Sequence, residues 1–168
     1  MKLYLIAILF IANYCHAAGT SGTFNPESRW VGRVTHVADG DTLWVRATQA
    51  TEPVKIRLDG IDAPEVCQPY GDSSRRALAG LVLNQMVVVQ GRRRDTFGRL
   101  LATLSIHGDD VGSSMVAQGH AWSYHFKRNR GVYAAQEAHA KAAQRGLFAD
   151  AGAQEPRLFR MKHGSCHD

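Results

Sequence analysis

The chain has 168 residues, 45% of them hydrophobic, with 20 Lys and Arg against 15 Asp and Glu for a net charge of +5. That is enough for one domain around one core; neither an internal repeat nor a second domain is visible. The positive balance is compatible with a polyanionic partner but does not require one.

The N-terminus reads as a targeting segment. Lys2 is the only charge before an apolar run from Leu3 to Ala12, and Cys15 and Ala17 stand at the small-residue positions before a cut. The run is too short to span a bilayer comfortably, and Tyr14 argues against lipid attachment at Cys15. Residues 1–17 are therefore expected to be a cleaved signal peptide of an exported protein, periplasmic or secreted, with 18–28 a disordered lead-in. Removing Lys2 lowers the net charge to +4. Cys67 and Cys166 remain, an even count for an oxidising compartment, so a disulfide is expected. Closing a loop of about 100 residues contributes about 4–5 kcal/mol in the chain-entropy view and would pin the tail beside the charged turn near Cys67.

Alternation predicts a first strand over Trp30–Val37, a turn at Ala38-Asp39-Gly40-Asp41, then strands Thr42–Ala47 and Val54–Leu58. The turn rests on Asp-Gly, which tolerates the left-handed backbone of a tight hairpin. A helix should begin near Asp72 or Ser73, either of which can cap it, with Ala77, Leu78, Leu81 and Val82 on its apolar face. Met86–Gln90 and Leu100–Ile106 read as the last two strands, separated by a basic loop, Gly91 to Arg99. Two helices follow, Val111–Gln118 and Tyr133–Arg145, each stopped by glycine. The tail, 151–168, reads as polar and irregular. Five strands interrupted by a helix and followed by helices predict an α+β chain that is mainly β barrel, a five-stranded Greek-key barrel of the OB type with about three helices.

Three charged clusters fall at strand ends or loops: Asp39-Gly40-Asp41-Thr42, Arg57 through Glu65, and Asp95 through Arg99. The second is the densest. Val54, Ile56 and Leu58 alternate with Lys55, Arg57 and Asp59; Gly60 then breaks the pattern and Pro64 fixes the backbone before Glu65. Two aspartates from different strands make an oxygen shell suited to a hard cation such as Ca²⁺ rather than to zinc. Arginines from separate loops can each grip a phosphate through paired hydrogen bonds, and a remaining glutamate can orient or deprotonate water. These are the parts of a phosphodiester hydrolase. Asp59 and Asp95 read as turn or loop carboxylates, Trp44 and Trp122 as core. His163, Cys166 and His167 read as structural rather than as a metal cluster, since a fourth ligand is missing.

The order Asp-Gly-Asp-Thr, Arg-x-x-x-x-Asp-x-Pro-Glu and Asp-x-aromatic-Gly-Arg resembles the thermonuclease (staphylococcal nuclease) family over Arg29 to about Phe148. Gly119-His-Ala-Trp and Gln144-Arg-Gly-Leu-Phe148 resemble that family's helical region. The resemblance implies that Asp41, Asp62 and the Ala63 carbonyl bind one Ca²⁺ ion. It implies that Arg57 and Arg99 bind the scissile phosphate and that Glu65 orients or deprotonates the attacking water. The reaction implied is sugar-nonspecific cleavage of DNA and RNA, single strands preferred, leaving 3′-phosphate ends, by a monomer. Asp39 and Thr42 would hydrogen-bond around the metal, and Arg92, Arg93 and Arg94 would attract the nucleic-acid backbone. Thr96 and Phe97 stand where the best-known member has lysine and tyrosine on a terminal phosphate, so that contact should be weak. A catalytically silent nucleic-acid-binding barrel and a disulfide-stapled interaction domain are the competing readings. Neither explains paired carboxylates that would repel phosphate without a cation.

Overall fold

The computed structural model describes residues 24–125, 129–164 and 166, so the expected signal peptide and most of the lead-in lie outside the described residues. Within them the chain runs β1 (Arg29–Val37), β2 (Thr42–Ala47), β3 (Val54–Leu58), β4 (Ile61–Asp62), α1 (Gly71–Val82), β5 (Met86–Arg94), β6 (Leu100–Ile106), β7 (Asp109–Asp110), α2 (Val111–Ala117), β8 (Trp122–Ser123), α3 (Ala134–Ala142), a 3-10 turn (Gly146–Ala149) and α4 (Pro156–His163).

The main sheet has the order β3-β2-β1-β5-β6-β7, and a parallel pairing of β3 with β6 closes it into a five-stranded barrel. Closure leaves β1, β2, β3, β5 and β6 without a free edge. The inward positions follow the alternation legible in the sequence: Val34, Leu43, Val45, Ile56, Val87, Val89, Leu100 and Leu104 are all essentially inaccessible. Burying each Leu, Ile or Val side chain stabilises by about 1.5–3 kcal/mol, which outweighs anything the surface ion pairs supply. α1 and α2 cover the barrel through Leu78, Val82, Val111, Met115 and Val116, which are buried in the same cluster.

Several elements differ from the sequence reading for identifiable reasons. α1 starts at Gly71, preceded by Tyr70 in the left-handed conformation at φ 72° with no side-chain cap. Asp72 is occupied by ion pairs to Arg75 and Arg76 instead. β5 continues to Arg94, so the first half of the basic loop is strand: Arg93 and Arg94 pair with Leu101 and Leu100 across a bulge at Gly91/Arg93. The tail is not irregular, because α4 forms there with Pro156 in its first turn and Phe159 buried. Trp44 is half-buried rather than core, with the Lys55 ammonium 4.8 Å above its ring. Trp122 is buried as expected, edge-on to Phe148. The Cys67–Cys166 disulfide is present, with Cα atoms 5.8 Å apart, and ties the end of the tail to the segment after Glu65.

Candidate active site

The site grows from the hydrogen-bonding register at one end of β2 and β3. Thr42 pairs with Arg57 across these strands, and the Leu58 amide donates to the Asp41 carbonyl at 2.8 Å. Asp41 and Arg57 are therefore neighbours by strand pairing, although 16 residues apart. Asp62 is set by a different device. β4 pairs with β8, placing Asp62 opposite Trp122 in a two-stranded ribbon that local sequence does not announce.

One guanidinium joins the two carboxylates. Arg57 donates from Nη1 to Asp41 Oδ1 at 2.7 Å and from Nη2 to Asp62 Oδ1 at 2.8 Å. Asp41 also accepts from the Thr42 hydroxyl at 3.0 Å and, through Oδ2, from the Ala63 amide at 2.9 Å. Asp39 Oδ1 accepts from the Asp41 amide at 2.9 Å. Asp39 and Thr42 are thus each hydrogen-bonded to Asp41. Gly40 serves this packing differently from the sequence reading: it is not among the left-handed glycines. A Cβ there would stand 1.9 Å from Ser74 Oγ and 2.7 Å from Ala63 Cβ, so glycine is required for the turn to press against α1 and Ala63.

Glu65 is buried in the segment leading into α1, its amide donating to Gln68 Oε1 at 3.2 Å. A Cβ on Gly71 would stand 1.9 Å from the Glu65 carbonyl oxygen, so this approach also requires glycine. Arg99 is held from its own hairpin: Asp95 accepts from its Nε and Nη2, both at 2.8 Å, while Asp95 Oδ1 takes the Phe97 and Arg99 amides. Asp95, read from sequence as a loop carboxylate, is both the turn former and the partner that aims Arg99. These hydrogen bonds hold its pKa below the usual carboxylate value against the opposing effect of burial.

Arg57, Glu65 and Arg99 line one open cleft of about 520 Å³, together with Lys55, Arg92 and Arg93. Arg92 pairs with Asp59, read from sequence as a turn or loop carboxylate, at 2.9 Å. Arg94 is not brought to the cleft; it donates to the Gly98 carbonyl at 2.6 Å. Phe97 at the hairpin tip is 81% exposed and Tyr124 at the cleft wall 45%. His36, His107, His125, His139 and His163 are exposed, and half-buried His120 is hydrogen-bonded to Tyr70 at 3.0 Å.

Sequence reasoning missed one residue altogether. Arg160, on α4, donates to Glu65 Oε1 at 2.6 Å and to Asp62 Oδ2 at 3.2 Å, and it lines the same cleft. Nothing in the tail's composition marks it, because its role depends on how α4 is docked.

The charges are strained in a way that favours a cation. Burial opposes the charge on Arg57, but Asp41 and Asp62 outweigh it and raise its pKa. Burial, followed by repulsion from Asp41, raises the Asp62 pKa even though Arg57 and Arg160 pull it down. Burial and then Asp41 raise Asp39 from 3.8 to about 7. Among the described residues no three His, Cys, Asp or Glu side chains gather as a metal cage. A cation held by Asp41 and Asp62 would need further oxygen from backbone or water, and that all-oxygen donor set fits a hard divalent ion.

The Asp39 shift carries a sign. The unfolded chain ionises Asp39 near 3.8, whereas the fold keeps it protonated to about 7. Its contribution to stability is fully present below 3.8 and falls away as pH climbs through about 7. In chelator, Asp39→Asn should therefore gain on the wild type from about pH 4 to about pH 7 and then hold level. Urea midpoints across that range read the gap, and a constant gap would remove the burial effect assigned to Asp39.

Comparison with known proteins matches most of the chain. The family described as Staphylococcal nuclease homologue matches residues 55–150, so Asp41 lies upstream of the matched span. Protein ParB of Escherichia coli is 35% identical over 150 residues, covering 82% of each chain. An uncharacterized endonuclease of Haemophilus influenzae is 34% identical over 130 residues, covering 77% of this chain and 72% of its own. A micrococcal nuclease of Shigella flexneri is 34% identical over 140 residues, covering 77% and 79%.

Proposed function

The chain belongs to the staphylococcal nuclease homologue family and is a nuclease, and from that premise we propose that it is an exported, Ca²⁺-dependent endonuclease acting on DNA and RNA without regard to the sugar. The observation that carries this reading is Arg57, which grips the buried Asp41 and Asp62 at once and lines the same cleft as Glu65 and Arg99.

Each residue has a role in the proposed reaction. Asp41, Asp62 and the Ala63 carbonyl would hold calcium, which would supply positive charge to a phosphate oxygen. Arg57 and Arg99, reaching the cleft from β3 and from the β5–β6 hairpin, bind the scissile phosphate. Their fixed charges match the extra negative charge that develops as water adds to phosphorus, so they favour the transition state over the ground state. Glu65 orients the attacking water or takes its proton. The water oxygen bonds to phosphorus as the bond to the 5′ oxygen breaks, and that oxygen takes a proton from solvent, leaving a 3′-phosphate and a 5′-hydroxyl. Arg92 and Arg93 add backbone attraction. Exposed Phe97 and Tyr124 offer faces on which unpaired bases stack, which supports a preference for single strands. The disulfide supports an oxidising compartment and hence export. No helix among the described residues is long and apolar enough to cross a membrane. The protein is taken to act as a monomer.

Incubation with single-stranded DNA tests the whole reading. Cleavage should stop with a calcium chelator, resume on adding Ca²⁺, and leave phosphate on the 3′ ends. Full activity under chelation, or products with 5′-phosphates, would overturn it.

A further inference from the structure

We propose that Arg160 is a positioning residue for the water-handling glutamate, delivered to the cleft by α4 and anchored there by the Cys67–Cys166 disulfide; this rests on the role just given to Glu65. Three attachments join the tail to Glu65, Cys67 and Gln68, within one four-residue stretch. The Arg160 guanidinium meets Glu65 Oε1 at 2.6 Å, the disulfide joins Cys67 to Cys166, and Gln68 Nε2 donates to the Gln154 carbonyl at 2.5 Å. The two outer attachments flank α4, at Gln154 two residues before its first residue and at Cys166 three residues after its last. The inner one aims a side chain into the cleft. Phe159, beside Arg160, is buried and seats the helix, so the orientation does not depend on the ion pair alone.

The Glu65 carboxylate receives its one charge-assisted bond among the described residues from Arg160. Without it, a carboxylate on the approach to α1 keeps rotamer freedom, and a group that must hold a water against phosphorus loses rate when its orientation spreads. Arg160 also touches Asp62, but there Arg57 makes the shorter bond, 2.8 against 3.2 Å. Its influence should therefore pass through Glu65 and not through the metal ligands. The anchor is covalent and reducible, so the alignment is available only where the disulfide forms. A tail that merely closed the fold would make no use of a guanidinium reaching the site carboxylates.

The test is a double-mutant cycle on the full-length mature protein with single-stranded DNA and saturating Ca²⁺. Arg160→Ala should lower kcat by about 10–100-fold, the usual cost of losing a group that orients a site ligand, with KM changed less than about threefold. In the Glu65→Gln background the same substitution should cost less than about twofold, because the group it acts through is already disabled. Calcium affinity of Arg160→Ala, measured by calorimetry without substrate, should stay within about threefold of wild type. Cys166→Ser leaves every cleft residue in place and should lower kcat toward the Arg160→Ala value. The pair combined should do no worse than Arg160→Ala alone.

Wild-type kcat in Arg160→Ala, full additivity with Glu65→Gln, or a tenfold change in calcium affinity would overturn the proposal. If Arg160→Ala fails to fold by circular dichroism, Cys166→Ser decides: wild-type turnover in that variant overturns the anchored alignment. A Glu65→Gln variant with near-normal turnover sinks the underlying reading of Glu65 and this proposal with it. A large Glu65→Gln loss beside a silent Arg160→Ala sinks this proposal alone.

Discussion

Arg57→Ala should lower kcat on single-stranded DNA by about 10²–10³-fold, the cost of removing one strong donor to the transition state. In calcium-free buffer it should also destabilise the fold by about 3–5 kcal/mol. The two effects share one cause. The guanidinium neutralises Asp41 and Asp62, whose side chains are 2% and 8% exposed, so truncation strands Asp41 without a cation and leaves Asp62 only the longer bond from Arg160. A fold stable by about 5–15 kcal/mol survives that loss over most of the range, so inactivity would not simply report unfolding. Calcium supplies a replacement charge, and the stability deficit should shrink when the ion is added. Steady-state kinetics and urea melts with and without calcium check both parts. A kcat within tenfold of wild type would remove Arg57 from the phosphate clamp.

Arg99→Ala should match Arg57→Ala in lost turnover, again about 10²–10³-fold, while changing stability by no more than about 1 kcal/mol. Arg99 is paired within its own hairpin to Asp95, and its removal leaves that carboxylate still accepting the backbone amides of residues 97 and 99. The contrast between the two arginines is therefore the sharper measurement. Equal destabilisation by both would mean that Asp41 and Asp62 do not depend on Arg57 as the geometry implies. Normal turnover in a folded Arg99→Ala variant would leave a single-arginine site.

Much of the barrel was legible because its strands obey one simple constraint. β2, β3 and β6 lie where alternation put them, since a residue on the wrong face of a closed barrel exposes leucine or buries charge. Departures occur where a residue's partner lies far along the chain. Tyr70 in a left-handed conformation, not Asp72 or Ser73, opens α1. The basic run beginning at Gly91 continues as strand because β6 offers it backbone partners. α4 was invisible because its helix is short and polar, and it owes its place to Phe159, Gln68 and the disulfide.

The candidate site divides along the same line. Sequence alone determined which side chains could do the chemistry: Asp41, Arg57, Asp62, Glu65 and Arg99 could be named from residue type, turn position and motif order, because charge and hydrogen-bonding capacity are properties of single residues. Only the tertiary structure decided who holds whom. One guanidinium bridges two carboxylates because β2 pairs with β3 in one register and β4 is fixed by β8. Asp95, besides forming its turn, and Asp59 became partners of arginines, and Arg94 turned away from the cleft. Arg160, 95 residues beyond Glu65, entered the site on a helix whose docking no local pattern encodes. Distances between groups remote in sequence are set by barrel closure, helix packing and a covalent bond, and a linear pattern carries none of these.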